Sequence, residues 1–209
     1  MNIILDQFEL GPMQNYIYFI GDPSTHEVAI VDPAWDIDFI LKKAAENDYK
    51  IKSAILTHGH HDHTNGLDAL LTVLDIPVFV SKHEASFYKP VGNAIKEVDD
   101  LEKIRIGNID VECLLTPGHT PGSQCFLVGN QLIAGDTLFI DACGRCDFPG
   151  GSAEALYDSL HNRLMKLPDD TILYPGHNYN VLKTDTLGNQ KKTNPYLKFD
   201  SLKNFLRAR

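Results

Sequence analysis

Long apolar runs are missing from this sequence. Nowhere does it approach the roughly 20 consecutive apolar residues that a membrane-spanning helix requires. The first sixteen residues lack the basic segment and apolar stretch of a secretory leader. Cysteine is scarce, at four residues in 209, which fits a reducing compartment where structural disulfides are rare. The expected location is therefore the cytoplasm. Positive charge is also in short supply. Nineteen lysines and arginines stand against 28 aspartates and glutamates, a formal net charge of −9. An acidic surface of this kind argues against nucleic acid and membrane as partners. Internal repeats, low-complexity segments and a clear linker are absent, so the length points to one domain over residues 1–209.

The material that is present is ordinary for a globular chain, with 43% hydrophobic and 22% charged residues, and can bury a full core. Short β-rich runs alternate with helical patterns. Residues 16–20 and 28–31 read as a hairpin across Gly21, Asp22, Pro23 and Ser24. Ile37, Ile40, Leu41, Ala44 and Ala45 form a helical stripe ending near Asn47 and Asp48. Residues 53–56 and 77–80 read as strands on either side of a second stripe, Leu67, Leu70, Leu71 and Leu74. Residues 109–115 alternate as a strand, and residues 125–128 and 132–134 flank the hairpin signal Gly129-Asn130. Ser152 is placed to cap a helix whose buried face is Leu156, Leu160, Leu164 and Leu167. Residues 171–174 read as a last strand, and Asn194-Pro195 breaks the chain before a short helix near residues 201–206. This order predicts an α/β layered sandwich, with helices outside the sheets. Cys143 and Cys146 have redox-motif spacing, but no helix signal starts there and packing is their expected role.

The chemistry concentrates just past strand ends. Thr57-His58-Gly59-His60-His61-Asp62-His63 follows an apolar run, and His119, Asp136 and His177 follow three others, each directly preceded by glycine. A loop anchored by a strand is exposed yet well held, and glycine permits a sharp turn or close backbone approach. Imidazole and carboxylate are ligands for divalent metals such as zinc. Spacing divides them into two sets sharing Asp136. The first is His58, His60, His119 and Asp136; the second is Asp62, His63, His177 and Asp136. Open positions would be filled by water, as catalytic sites need. His61 falls at a variable place, and His26, His83 and His161 read as surface or helix residues.

The series H-x-H-x-D-H, then His119, Asp136 and His177, resembles the metallo-β-lactamase superfamily. The resemblance covers nearly the whole chain and implies a four-layer αββα sandwich with metals at one edge of the sheets. Within that superfamily the chain looks like hydroxyacylglutathione hydrolases (glyoxalase II) and persulfide dioxygenases. Residues 144–148 are similar to a G-R-x-D-F segment of the dioxygenases and short hydrolases. Residues 176–179 resemble the place where these families set a tyrosine, here Tyr179, near glutathione, and residues 194–197 echo the dioxygenase C-terminus. The extra helical domain of long glyoxalase II enzymes is not expected, since 32 residues follow His177. His61 stands where the dioxygenases have a small residue, which favours hydrolysis.

The expected activity is cleavage of a glutathione-type thioester by hydroxide held at two divalent cations, zinc first, with iron or manganese as alternatives. Asp62 and Asp136 are the expected catalytic carboxylates, and Arg145 and Tyr179 the expected substrate contacts. Lys183, Lys191 and Lys192 are further cations close to the site in sequence. A mononuclear iron glutathione persulfide dioxygenase is the alternative, and a lactonase or other metallohydrolase a further one.

Overall fold

A computed structural model describes residues 2–84 and 94–208. The first sheet is built from β1 (Ile4–Leu10), β2 (Asn15–Asp22), β3 (Glu27–Val31), β4 (Lys50–Ile55), β5 (Val78–Ser81) and β6 (Ile95–Val98), in that spatial order. β1, β2 and β3 pair antiparallel, and β3 to β6 pair parallel. The second sheet contains β7 (Lys103–Ile106), β8 (Ile109–Leu115), β9 (Gln124–Val128), β10 (Gln131–Gly135), β13 (Ile172–Pro175) and β14 (Asp185–Thr186), ordered β14-β13-β10-β9-β8-β7. A separate ribbon pairs β11 (Leu138–Phe139) with β12 (Ala142–Cys143). The helices are α1 (Ile37–Glu46), α2 (His61–Thr64), α3 (Leu67–Val73), α4 (Ala153–Asp158), α5 (Leu187–Thr193) and α6 (Leu202–Arg207).

Three apolar clusters define four layers. Ile37, Ile40 and Ala44 of α1 and Leu67 and Leu70 of α3 pack with Ile17, Phe19, Val28 and Ile30 on the outer face of the first sheet. Tyr16, Tyr18, Ile20, Val31 and Ile55 meet Ile104, Val111, Phe126 and Ile133 between the sheets. Leu156, Leu160, Leu164, Leu187 and Phe205 cover Cys125, Leu132 and Leu173 on the outer face of the second sheet. β2 shows the rule behind this arrangement. Successive side chains of a strand point to opposite faces, so residues 16, 18 and 20 enter the central cluster while 17 and 19 enter the outer one. Both faces are buried, which is why β2 reads as a continuous apolar run rather than an alternating one.

Local signals behave as their chemistry requires. Asp36 caps α1, accepting from the Phe39 N–H at 2.9 Å, and Ser152 caps α4, accepting from Ala155 N–H at 3.1 Å. The helix after Ser152 departs from a regular α form. A π turn over Ser159–Arg163 and a 3-10 turn over Leu164–Lys166 follow α4. Leucines every four residues drift around a helix of 3.6 residues per turn. The wider π turn corrects that drift and keeps Leu156, Leu160 and Leu164 in one core cluster. One expectation is overturned: residues 171–174 are not the last strand, because β14 adds antiparallel to β13. Among the described residues no helix is long and apolar enough to cross a membrane.

Candidate metal centre

β8, β10 and β13 all run in one direction, as β3 and β4 do in the other sheet. The residues just past their C-terminal ends therefore gather at one edge of the sandwich. There the structure brings all seven expected ligands together. His58, His60 and His119 form one group, Asp62, His63 and His177 another, and His58, His63 and Asp136 a linking one, with donor atoms within 4.8 Å in each. α2 supplies Asp62 and His63 from its first turns. Close backbone approach is built in: a Cβ on Gly176 would stand 2.3 Å from Asp136 Oδ1, and Gly135 turns the chain at φ +48.

In the first set His60 Nδ1 lies 3.1 Å from His58 Nε2 and 2.9 Å from His119 Nε2, with Asp136 Oδ2 3.5 Å from His119 Nε2. In the second set His63 Nε2 lies 3.1 Å from His177 Nε2, and Asp62 Oδ2 lies 3.5 Å from each. Asp136 belongs to both. Its Oδ1 is 3.3 Å from His63 Nε2, and its Oδ2 is 3.3 Å from His177 Nε2. Ligand atoms about 2.1 Å from one cation stand about 3.4 Å apart at tetrahedral corners, so these separations fit the edges of coordination shells.

Proton accounting supports the same fit. His119 Nδ1 donates to the Arg145 carbonyl at 2.6 Å and His177 Nδ1 to the Met13 carbonyl at 2.9 Å. A carbonyl only accepts, so both rings carry hydrogen on Nδ1 and expose a bare Nε2. His63 Nδ1 faces Asp32 Oδ2 at 2.9 Å. The Thr57 hydroxyl gives its hydrogen to Asp32 Oδ2 at 2.6 Å, so it accepts from His58 Nδ1 at 3.0 Å. His58, His119 and His177 thus aim lone pairs inward, and His63 turns its Nε2 the same way, an arrangement that a cation relieves. Asp136 Oδ1 is buried without a hydrogen-bond partner, an expensive state for a carboxylate oxygen unless a cation meets it.

Electrostatics agree. Burial opposes ionisation of Asp136, yet His63 and His177 hold its carboxyl well below the ordinary carboxylate range. Burial likewise opposes a charge on His63, but Asp136 and Asp32 outweigh it and raise that imidazole well above its usual value. Burial, reinforced by His63, pushes His58 well down, and burial and His119 lower His60. Positive charge is thus drawn to His63 by the carboxylates around it and kept off His58 and His60 by burial.

The centre opens into a cavity of about 490 Å³ lined by Met13, Phe139, Phe148, Arg145 and Tyr179 among others. Tyr179 stacks on His177 with ring centroids 4.6 Å apart, and Phe148 stands edge-on to His60 at 5.3 Å. Arg145 lies at the mouth, bound in two-pronged fashion to Asp147 at 2.9 and 2.7 Å and packed 4.6 Å from the Phe148 ring centroid. Of the four basic residues expected near the site, Arg145 lines this cavity and Lys183, Lys191 and Lys192 do not. Lys191 instead ties Asp169 to the Leu167 carbonyl, at 2.6 and 2.7 Å. His61 reaches the cavity wall from an exposed position. His161 stacks on Tyr157 and His26 faces Asp48, both away from the centre. Sequence reasoning missed Asp32, Thr57, Asn15 and Trp35, which hold the ligands. Asp32 had a findable signal, an acid placed directly after the apolar strand β3, as Asp136 follows β10.

A family model described as the metallo-beta-lactamase superfamily matches residues 10–177. The probable polyketide biosynthesis zinc-dependent hydrolase PksB of Bacillus subtilis is 33% identical over 195 residues, covering 93% of this chain and 87% of the relative. The mitochondrial persulfide dioxygenase ETHE1 of Mus musculus is 33% identical over 188 residues, 87% of this chain and 71% of its own. The crystal structure of ETHE1 from Myxococcus xanthus superposes with a TM-score of 0.90 at 33% identity, over 98% of this chain and 88% of that one. With a His/Asp cluster at the sheet edge and a matching αββα sandwich, the chain belongs to the metallo-β-lactamase superfamily.

Proposed function

We propose that the chain is a two-cation thioester hydrolase acting on a small anionic thiol ester of the glutathione type, with zinc as the first expected metal. The observation that carries this reading is Asp136, whose Oδ2 lies 3.5 Å from His119 of the first donor set and 3.3 Å from His177 of the second, while its buried Oδ1 faces His63 of the second at 3.3 Å. PksB, named a zinc-dependent hydrolase, supports hydrolysis.

Divalent cations held there supply an acidified water and a Lewis acid for the carbonyl oxygen. The chain's own residues do the rest. His58, His60 and His119 would hold one cation, Asp62, His63 and His177 the other, and Asp136 would be shared between them. Asp62 lines the cavity and takes the proton of the attacking water. Phe139, Phe148 and Tyr179 wall the cavity and exclude bulk water from the ester. Arg145 meets a substrate carboxylate. Its bond to Asp147 is solvent-exposed, with side-chain exposures of 65% and 64%, and exposed ion pairs are worth about 0–1 kcal/mol, so the exchange is easy. No general acid is needed for the leaving group, since a thiol with a pKa of about 8.5 departs as thiolate.

The persulfide dioxygenase relatives make oxidation the competing reading. Purified protein loaded with zinc is to be assayed with a glutathione thioester in air and under nitrogen, and with glutathione persulfide at an oxygen electrode. Thiol release at equal rates in both atmospheres is the expected result. Oxygen consumption with persulfide by the iron-loaded protein, with thioesters inert under every metal, would replace hydrolysis by oxidation.

A further inference from the structure

The second set of ligands is supported by the segment at residues 11–16 together with Trp35. Asn15, at the start of β2, is 1% exposed and sits between Asp62 and Trp35. Its Nδ2 donates to Asp62 Oδ2 at 2.8 Å and lies 3.4 Å from His63 Nε2, while its Oδ1 accepts from the Trp35 indole N–H at 2.9 Å. An asparagine amide can face either way by a flip, but an indole only donates. Trp35 therefore fixes the orientation: the amide oxygen must meet the indole, and the amide hydrogens must meet Asp62.

Trp35 is itself locked in place. Its backbone N–H donates to Asn65 Oδ1 at 2.6 Å, at the end of the short helix carrying Asp62 and His63. Its φ of +67 is an unusual conformation for a bulky residue. Its ring covers Gly11 so closely that a Cβ there would come within 2.4 Å of it. The same strap reaches the third ligand of this set, because the Met13 carbonyl orients His177 and Tyr16 N–H donates to the Gly176 carbonyl at 2.8 Å. The first set is held from elsewhere, His58 by Thr57 and His119 by the Arg145 carbonyl.

We infer that Asn15, oriented by Trp35, is a positioning residue dedicated to the second cation: it fixes the ligating oxygen of Asp62 and so sets the affinity of that cation without affecting the first. The inference rests on the two-cation reading above. Hydrogen-bond partners of ligating groups of this kind are worth about 10–100-fold in metal affinity.

The test is a zinc titration of metal-free protein in competition with a chromophoric chelator, for the wild type, Asn15→Ala and Trp35→Phe, with thermal melting of each metal-free protein as the check on folding. Trp35→Phe leaves an aromatic ring at the position and removes the indole N–H, so it serves where Asn15→Ala disturbs the core. The expected result is two equivalents for the wild type. In Asn15→Ala the second equivalent should bind about 10–100-fold more weakly, and in Trp35→Phe it should weaken in the same direction, with the first within about threefold of wild type. Equal weakening of both equivalents would make Asn15 a general structural residue and overturn the inference. A second equivalent unchanged in both variants would overturn it too. A wild type that takes up one equivalent overturns the two-cation reading itself, and the inference with it.

Discussion

Asp136→Ala is the sharpest perturbation of the centre. Its carboxylate stands 3.3–3.5 Å from the Nε2 atoms of His63, His119 and His177, so it touches both donor sets at once. Removing one partner from a buried set of opposite charges costs about 3–5 kcal/mol. That is about 150-fold or more in each affinity the carboxylate supports. His177→Ala removes a ligand from one set alone, leaving His58, His60, His119 and Asp136 in place. Equilibrium dialysis against graded free zinc, with metal counted per chain, separates the two cases. Asp136→Ala should weaken both equivalents, and His177→Ala the second only. Thioester hydrolysis should fall further in Asp136→Ala. Retention of two tightly held cations by Asp136→Ala, or equal mild losses in the two variants, would refute the bridging geometry on which the functional reading stands.

Two further outcomes follow from other parts of the molecule. Arg145→Ala should lower kcat/KM for an anionic thioester by about tenfold to a hundredfold, the worth of one charge-assisted contact, with metal content unchanged. Because the Arg145 carbonyl also holds His119, loss of metal in this variant would mark the residue as structural instead. At the opposite end of the sandwich from the ligands, Asp22 is held at about 2 by hydrogen bonds from the Ser24 N–H and hydroxyl and the Asn108 N–H. A depressed carboxylate stabilises the fold above its unfolded value, near 3.9, and that contribution fades as pH falls through about 2. Asp22→Asn should therefore melt below wild type at neutral pH, with the gap narrowing under about pH 4 and closing near pH 2; a gap independent of pH would remove the carboxylate from this role.

The elements legible in the sequence are those buried on both faces or bearing one long apolar stripe. β2, β3, β4, β8, β9, β10 and β13 all announce themselves, as do α1, α3 and α4. Besides the short β11–β12 ribbon, the strands that went unread are the edges of the two large sheets: β1 and β6 of the first, β7 and β14 of the second. The cause is physical. An edge strand exposes one row of backbone groups and needs polar or charged side chains to resist pairing with another chain. Lys-Ile-Arg-Ile in β7 and Ile-Lys-Glu-Val in β6 meet that need, and in doing so they lose the apolar run by which a strand is recognised. α5 is hidden for a related reason. Of its side chains Leu187 enters the core as an apolar one, while Gln190 is buried through hydrogen bonds to Asp185 and Asp141 rather than through a stripe.

The metal centre divides in the same way. Its candidate ligands are legible because coordination restricts residue type: only a few side chains can bind a metal, and here they cluster past strand ends. The groups that aim those ligands face no such restriction. Two of them are backbone carbonyls, of Met13 and Arg145, which any residue supplies and no pattern betrays. Thr57, Asn15 and Trp35 act through contacts within the first sheet and its loops, up to 48 positions apart in sequence, so their roles exist only once that sheet has formed. Asp32 is the intermediate case. Its carboxylate accepts from Thr57 N–H at 2.7 Å, from the Thr57 hydroxyl and from His63. One acid thereby fixes the proton positions of a ligand in each set, His63 directly and His58 through the threonine. It holds this post at φ +53, a conformation that aspartate tolerates better than most residues. The identity of an aspartate here answers two demands, one from the backbone and one from the imidazoles, and the sequence displays neither until the fold has brought β3 and β4 side by side.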